Sequence, residues 1–319
     1  MGTVITIDVY PAPVADNSWT ADLRRRLDRA RMELQRADDV FSTWRQDSPV
    51  SRLRRGEITP AQAPPEVASV MSACEVARRL SGGWFDPWAM PGGFDPTGYV
   101  KGWAAQRALA ALDGLAIHGA LVNAAGDIAS VGGQPSGDAF RIGIADPGEP
   151  RRLAAIAELT GCIATSGTYE RGSHLIDPHS GSPAARVASA SVIGSDLGLA
   201  DALATAVAVA GIEGLDLVEP LAGYEALVIG WDGRQHSTSQ FPFASTTGAA
   251  AARLCRLFAY LRSAAARRPR SRRPAGRTGR SAVGDHAAAG GRRHRTSGRV
   301  PPRNRSLPES RRVRRPGQA

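Results

Sequence analysis

The spacing of apolar residues changes from helical to strand-like in the middle of this chain, and this change limits the folds open to it. Alternating apolar and polar residues over Val4–Tyr10 predict an opening strand. Apolar residues then recur at helical spacing as far as residue 112. This spacing predicts three helices: Thr20–Phe41, Pro65–Leu80 and Gly98–Leu112. The first part of the chain is therefore predominantly helical.

The middle of the chain has the short apolar runs that are typical of strands. Gly, Pro and Asp turns separate the runs Ala120–Ala124, Ala139–Ala145, Leu153–Leu159 and Arg186–Ile193. Two helices, Leu199–Ala210 and Gly214–Pro220, and a last strand, Tyr224–Gly230, are predicted to follow. Helices and strands do not alternate strictly, so we predict an α+β fold with a mixed or antiparallel sheet core and flanking helices.

Beyond about residue 244 the composition no longer supports a core. Residues 264–319 consist mainly of Arg, Pro, Gly, Ser and Ala, which predicts a disordered tail. Only Ala251–Arg262 keeps enough apolar residues to predict one short helix. We therefore divide the chain into a folded domain, residues 1–245, and a tail, residues 246–319. The tail is open to two interpretations: a nucleic-acid-binding arm, or an extension without function.

The net charge of +10 is distributed unevenly between these two parts. Residues 251–319 contain twenty Arg and only Asp285 and Glu309 against them, which gives +18 and leaves −8 for the other 250 residues. An acidic body is a poor binder of nucleic acid or of anionic membranes, so we expect no nucleic acid on the folded domain.

No membrane-spanning segment, signal peptide or lipobox is visible in the sequence. This predicts a cytoplasmic protein, or else a true N-terminus that lies upstream of Met1. The three cysteines, Cys74, Cys162 and Cys255, lack metal-ligand spacing and are odd in number. Buried reduced thiols are the simplest interpretation of them.

The segment from Thr165 to Gly181 has the composition of a ligand site. It combines a predicted turn over Thr165-Ser166-Gly167, an acid, a base and His174 with a second turn built on Asp177-Pro178 and Gly181. A histidine there is suited to accept a proton from an attacking hydroxyl. Asp177 and Glu170 are the alternative bases.

Two further positions point to chemistry involving phosphate and metal. Asp201 and Thr205 stand four residues apart among small apolar residues, so a helix places both on one face, where they could hold a hard cation such as Mg²⁺. The alternative is that Asp201 merely lies in the first turn of its helix. Lys101 is the only lysine of the chain, which suggests a site that requires a compact ammonium group.

A set of ordered blocks resembles the ApbE family of flavin transferases and covers residues 1 to about 245. The blocks are Met1–Thr3, Phe41–Ser48 with Ser51–Leu53, Gly83–Asp86, Asp95–Gly102, Leu121–Ile128, Thr165–Arg171, His174–Gly181 and Leu199–Ala206. Within Asp95–Gly102, Pro96 and Thr97 replace the family's usual Leu-Gly. Many ApbE-like proteins are exported lipoproteins, which is a further difference from this chain.

The resemblance implies a T-fold-type domain that acts as a Mg²⁺-dependent FAD:protein FMN transferase. Such an enzyme moves FMN from its substrate FAD to a Thr or Ser hydroxyl of an acceptor flavoprotein and releases AMP. A Mg²⁺-dependent FAD pyrophosphatase and a non-catalytic flavin-binding protein are the alternatives.

The resemblance also implies a role for individual residues. Those matching FAD contacts are Met1, Trp44, Trp84, Phe85, Asp86, Asp95, Lys101 and Leu175. Those matching metal ligands are Gly98 and Ala204, through their carbonyls, and Asp201 and Thr205. His174 is the expected catalytic base.

Overall fold

A computed structural model describes residues 3–13, 17–149, 151–167, 175–184 and 186–244. The predicted disorder of the tail, the predicted helix Ala251–Arg262 and the thiol of Cys255 lie outside these residues. The domain boundary at residue 245 stays a prediction.

A seven-stranded sheet forms the centre of the described chain, in the order β1-β2-β3-β6-β7-β8-β9, and a separate hairpin pairs β4 with β5. Every pairing between these strands is antiparallel. The strands are β1 (Ile5–Pro11), β2 (Ile117–Ala124), β3 (Asp127–Gly132), β4 (Phe140–Ala145), β5 (Leu153–Leu159), β6 (Cys162–Gly167), β7 (Ser189–Gly194), β8 (Glu225–Ile229) and β9 (Gln235–Ser237). The predicted α+β class is confirmed, with an antiparallel sheet.

The helices lie in two crossovers of the sheet, one between β1 and β2 and the other between β7 and β8. They are α1 (Asn17–Phe41), α2 (Pro49–Arg54), α3 (Pro65–Leu80), α4 (Thr97–Ala110), α5 (Leu197–Ala210) and α6 (Leu215–Val218), with 3₁₀ turns at Pro60–Gln62 and Ile212–Gly214. The five helices predicted within the described residues are all present, and α2 is the one that the apolar spacing did not predict.

Three strands differ from the expectation. β3 and β9 were not predicted. The predicted strand Tyr224–Gly230 is observed as β8, and it is not the last strand of the described chain because β9 follows it. The predicted turn over Thr165-Ser166-Gly167 is wrong, because these residues form the end of β6 and pair with Ser189–Ser191 of β7. The second predicted turn is confirmed: Gly181 has φ 69° and its N–H donates to the Asp177 carbonyl at 2.8 Å.

Helices α4 and α5 pack on one face of the sheet, which we call the helix face. Close approach between the two helices depends on glycine. A Cβ at Gly102 would lie 2.3 Å from the Leu197 carbonyl oxygen, and one at Gly198 would lie 2.7 Å from the Tyr99 ring. α5 is buried along nearly its whole length, Asp201 included. The site described below lies beside these two helices.

The hairpin β4–β5 packs on the opposite face, which we call the hairpin face. Its core contains Phe140, Ile144 and Leu159. The chain returns to close this core after β9, where Phe241 is buried and the Ala244 N–H donates to the Ile156 carbonyl at 2.8 Å.

Two smaller expectations concern thiols and membranes. Cys74 and Cys162 are buried free thiols, as predicted. Within the described ranges, none of the helices is both long and apolar enough to cross a membrane.

Candidate active site

A cleft of about 210 Å³ lies where the helix face meets the loops that precede α4. Five parts of the described chain contribute to it: the 84–90 loop, α4 with the residues before it, the β2–β3 turn, the end of β6 together with residues 175–178, and α5. The residues that the sequence predicted and the structure places in its lining are Trp84, Phe85, Asp86, Asp95, Gly98, Lys101, Leu175, Asp201 and Thr205.

Helix α5 supplies an acidic side chain to one wall of this cleft. Its N-cap is Asp196, whose carboxylate accepts the Leu199 N–H at 2.8 Å, so Asp201 lies beyond the first turn. The explanation of Asp201 as a helix-start residue is therefore wrong. Asp201 is only 3% exposed, and its Oδ2 accepts the Gly102 N–H at 3.3 Å, which ties α5 to α4.

Thr205 continues the same wall one helical turn further on. Its hydroxyl lies 3.2 Å from the Ser166 hydroxyl at the end of β6. A Cβ at Gly98 would lie 3.4 Å from Thr205 Oγ1 and 3.2 Å from the Phe85 ring, so the absence of a side chain at Gly98 keeps this corner open. Ser166 was missed by the sequence analysis, although it belongs to the segment singled out there.

The predicted metal ligand Ala204 is placed differently from its neighbour Thr205. Its side chain is fully buried in the core between helix and sheet and is absent from the lining of the cleft. The role expected of Ala204 rests on its carbonyl oxygen and stays a prediction.

Lys101 is paired with a carboxylate that the sequence analysis did not single out. Its Nζ lies 2.7 Å from Oδ2 of Asp127, the first residue of β3. The Asp127 side chain is 0% exposed, and its Oδ1 accepts the Thr165 N–H at 3.3 Å. Burial and the nearby Asp201 carboxylate raise the pKa of Asp127, while the Lys101 ammonium opposes that rise.

A strained turn leads into Asp127. Among the described residues, Ala125 is the one non-glycine residue with positive φ, at 54°. Gly126 follows with φ 99°, and its N–H donates to the Asn123 side chain at 2.8 Å. Ala125 itself lines the cleft. Backbone strain of this kind is common where a turn must present a functional group.

Asp95 is fixed at the mouth of the cleft by an arginine from α2. Arg54 Nη1 lies 3.0 Å from Asp95 Oδ2, and the Thr97 N–H donates to Oδ1 at 3.1 Å. Arg54 also donates to the carbonyls of Pro91 and Gly92. With Pro96 and Thr97 in place of Leu-Gly, α4 still begins at Thr97.

The aromatic side of the cleft is built from the Trp84–Asp86 block. Asp86 Oδ1 accepts the Trp88 N–H at 2.9 Å, which fixes the loop. The Trp84 ring lies 4.5 Å from the His179 ring, and the Arg186 guanidinium lies 5.0 Å from the centre of the Trp84 ring. The indole is thus held in place by two side chains from the connection between β6 and β7.

One predicted flavin contact, Trp44, is not brought to the cleft, and two other predicted residues lie outside the described part of the chain. Trp44 is 93% exposed and does not line the cleft, so its expected contact with flavin has no support from this geometry. Met1 and His174 lie outside the described residues, and the same holds for Glu170. The roles assigned to all of them stay predictions.

The oxygen atoms of this cleft determine which metal it could hold. The described part of the chain contains no group of three or more His, Cys, Asp or Glu side chains that could bind an ion. The cleft instead offers the Asp201 carboxylate and the Thr205 hydroxyl, which are hard oxygen donors. Such donors fit Mg²⁺ and do not fit zinc, which prefers nitrogen and sulfur.

Comparison with known proteins gives one family. The ApbE family profile matches residues 1–92 and 89–228. An FAD:protein FMN transferase from Rhodobacter capsulatus is 35% identical over 139 residues, which is 41% of this chain and 26% of that protein. This chain therefore matches only about a quarter of that relative's length.

Solved structures of the same name share the fold. Flavin transferase ApbE from Vibrio cholerae is 24% identical, with a TM-score of 0.63 over 76% of this chain and 95% of that one. Flavinyl transferase ApbE from Pseudomonas stutzeri is 25% identical, with a TM-score of 0.63 over 75% of this chain and 92% of that one. The ApbE protein from Thermotoga maritima has a TM-score of 0.63 at 23% identity, over 75% and 94% of the two chains.

Proposed function

The chain belongs to the ApbE family, and from this premise we propose that it is a Mg²⁺-dependent FAD:protein FMN transferase. It takes FMN from FAD and attaches it to a Thr or Ser hydroxyl of an acceptor flavoprotein, with AMP as the second product. The name of the Rhodobacter capsulatus relative supports the reaction, and the cleft of this chain supports the site.

One observation carries this proposal. Family-matching residues from four separate parts of the sequence line a single cleft: the 84–86 block, the 95–101 block, Leu175 and the α5 pair. The cleft combines an aromatic side with an acidic corner and a lysine. An isoalloxazine ring requires the aromatic side, and a metal-bound diphosphate requires the acidic corner and the lysine.

Asp201 and Thr205 would hold the magnesium ion, with the Gly98 and Ala204 carbonyls as further ligands. The donor chemistry fits, because a carboxylate and a hydroxyl stand together in the same corner of the cleft. When bound there, Mg²⁺ neutralises the negative charge that develops on the diphosphate and makes AMP a better leaving group.

The residues of this chain bind and orient the two substrates, and one of them accepts the proton of the acceptor hydroxyl. The acceptor hydroxyl oxygen forms a bond to the FMN phosphorus, and the bond from that phosphorus to the oxygen of AMP breaks. AMP leaves with the bonding electrons, and the hydroxyl proton passes to a base, for which His174 is the candidate. No nucleophile from this chain is needed, because positioning and charge stabilisation carry the catalysis.

The test is to incubate the full chain with FAD, Mg²⁺ and a candidate acceptor flavoprotein. We expect AMP to appear together with an acceptor mass increased by one FMN, and both to vanish with excess chelator. AMP and free FMN without a modified acceptor would instead identify an FAD pyrophosphatase, in which water replaces the hydroxyl. FAD binding with no AMP would identify a non-catalytic flavin-binding protein.

An acceptor variant provides the matched control for this experiment. Replacing the modified Thr or Ser of the acceptor by Val or Ala removes the attacking oxygen but leaves FAD and metal binding untouched. Transfer should then stop while FAD binding to this chain stays at the parent level. Continued labelling of the altered acceptor would contradict attack by that hydroxyl.

A further inference from the structure

We propose that Asp127 is a positioning residue for FAD, acting through Lys101. The inference rests on the proposed function, in which the Lys101 ammonium lies near the FAD diphosphate. Asp127 does not line the cleft; it stands behind Lys101 and holds the ammonium from the protein side.

The contacts of Asp127 fix it more firmly than a surface ion pair would be fixed. One carboxylate oxygen forms an ion pair with the Lys101 ammonium at 2.7 Å, and the other accepts a hydrogen bond from the Thr165 N–H at 3.3 Å. The side chain is 0% exposed, whereas that of Lys101 is 21% exposed. The lysine therefore spans from a buried anchor to the solvent-accessible cleft.

A lysine needs such an anchor more than an arginine does. Its ammonium is a point charge on a flexible four-carbon stem, with no planar fork to set its direction. In this chain the anchor joins three elements, because Lys101 belongs to α4, Asp127 begins β3 and Thr165 lies in β6. The strained turn at Ala125 and Gly126 places Asp127 at this junction.

The charge of Asp127 considered alone predicts the opposite effect on FAD affinity, so the direction of the change in affinity tests the proposal. Replacing Asp127 by the neutral, isosteric Asn removes a negative charge close to the diphosphate site. If Asp127 were only a counter-charge, FAD would then bind more tightly. If Asp127 positions Lys101, FAD should bind more weakly, because the ammonium is no longer held towards the diphosphate.

The experiment measures FAD dissociation constants by flavin fluorescence, with and without Mg²⁺, for four full-length proteins. These are the parent, Asp127→Asn, Lys101→Met and the double variant, and a melting curve for each confirms folding. We expect Asp127→Asn to weaken FAD binding about 10- to 100-fold, the scale for losing a partner that orients a binding group. In the Lys101→Met background the same substitution should change nothing or tighten binding slightly.

The double variant keeps the test valid if Asp127→Asn folds poorly. It contains neither the ammonium nor the carboxylate, so its comparison with Lys101→Met isolates any effect of Asp127 that bypasses the lysine. Unchanged or tighter FAD binding in Asp127→Asn, or equal weakening with and without Lys101, overturns the proposal. Failure of the parent to bind FAD would instead refute the proposed function.

Discussion

The two faces of the central sheet differ in the size of the side chains that they bury. On the helix face, strands β2, β3, β6, β7 and β8 present small residues: Ala120, Val122, Ala124, Ala129, Ala164, Ala190, Val192, Ala226 and Val228. On the hairpin face the same strands present large ones: Leu121, Ile128, Ile163, Ile193, Leu227 and Ile229. Adjacent residues of one strand thus fill two different kinds of core.

The small residues explain why the site is on the helix face. They let α5 approach the strands so closely that Thr205 and Ser166 place their hydroxyls 3.2 Å apart. On the hairpin face, large side chains fill the space between the sheet and the hairpin β4–β5. The comparison therefore assigns chemistry to one face and stability to the other.

The largest effect is expected from Asp201→Ala on the helix face. Removing the carboxylate removes much of the charge that would hold a hard cation, so FMN transfer should fall below detection. The matched control is Asp196→Ala on the same helix, which removes an N-cap worth about 1 kcal/mol but no cleft residue. Full transfer by Asp201→Ala, or in excess chelator, would contradict the metal assignment.

His174→Ala should have the next largest effect. Losing a general base slows transfer about 10²- to 10⁴-fold while FAD binding survives. Single-turnover transfer rates and FAD titrations on the same preparation separate the two quantities. If the variant transfers FMN at the parent rate, the base lies elsewhere, and Asp177 and Glu170 are the residues to replace next.

A pair of adjacent residues in β6 tests the comparison itself. Ala164→Leu overfills the helix face, so α5 must shift, and a displacement of about 1 Å in a catalytic group can cost about 100-fold in rate. Ile163→Ala opens a cavity on the hairpin face and should cost about 2–5 kcal/mol of stability with an unchanged rate for the folded protein. Denaturant unfolding and transfer rates are measured for both variants. An equal loss of transfer in the two would show that the faces do not differ in function.

Apolar spacing was sufficient to predict the helices. The pattern over Pro65–Leu80 gave the bounds of α3 as the structure has them. It did not predict α2, a six-residue helix that begins at Pro49 and whose buried residues are Val50 and Ser51. The apolar run Ala139–Ala145 also predicted β4, in which Phe140 and Ile144 are buried and Ile142 is partly buried.

The strand around Thr165 could not be predicted from local sequence. Thr-Ser-Gly is a turn composition, but each of these residues pairs with one in β7, which lies more than twenty residues further along the chain. Pairing between distant segments outweighs local preference, since strand propensity depends on its neighbours.

The site could be predicted only where a motif existed. The blocks gave the lining residues, but not the residues that hold them in place, because Arg54 and Asp127 meet their partners across long stretches of sequence. One signal for Asp127 was present: it lies in the Leu121–Ile128 block, directly after an Ala-Gly turn. Trp44 shows the opposite limit, because a motif match did not bring its ring to the cleft.

The smallest effect is expected from removing the tail, and it depends on where the hairpin face ends. Phe241 is buried in the hairpin core, and the Ala244 N–H is bonded to β5, so the folded unit requires the chain up to that point. Residues beyond it hold the +18 charge and lie outside every family block. Truncation after Ala244 should therefore leave the melting temperature and FMN transfer unchanged.

Truncation after Gln240 is the matched control, because it removes only four more residues. It deletes Phe241 from the core, and losing a buried phenylalanine side chain costs about 3–5 kcal/mol. A polyanion retention assay should show salt-sensitive binding by the full chain and by neither truncated form, since only the tail carries a net positive charge. A protein cut after Ala244 that melts earlier or transfers less FMN would mean that the tail belongs to the folded unit and that the boundary at residue 245 is wrong.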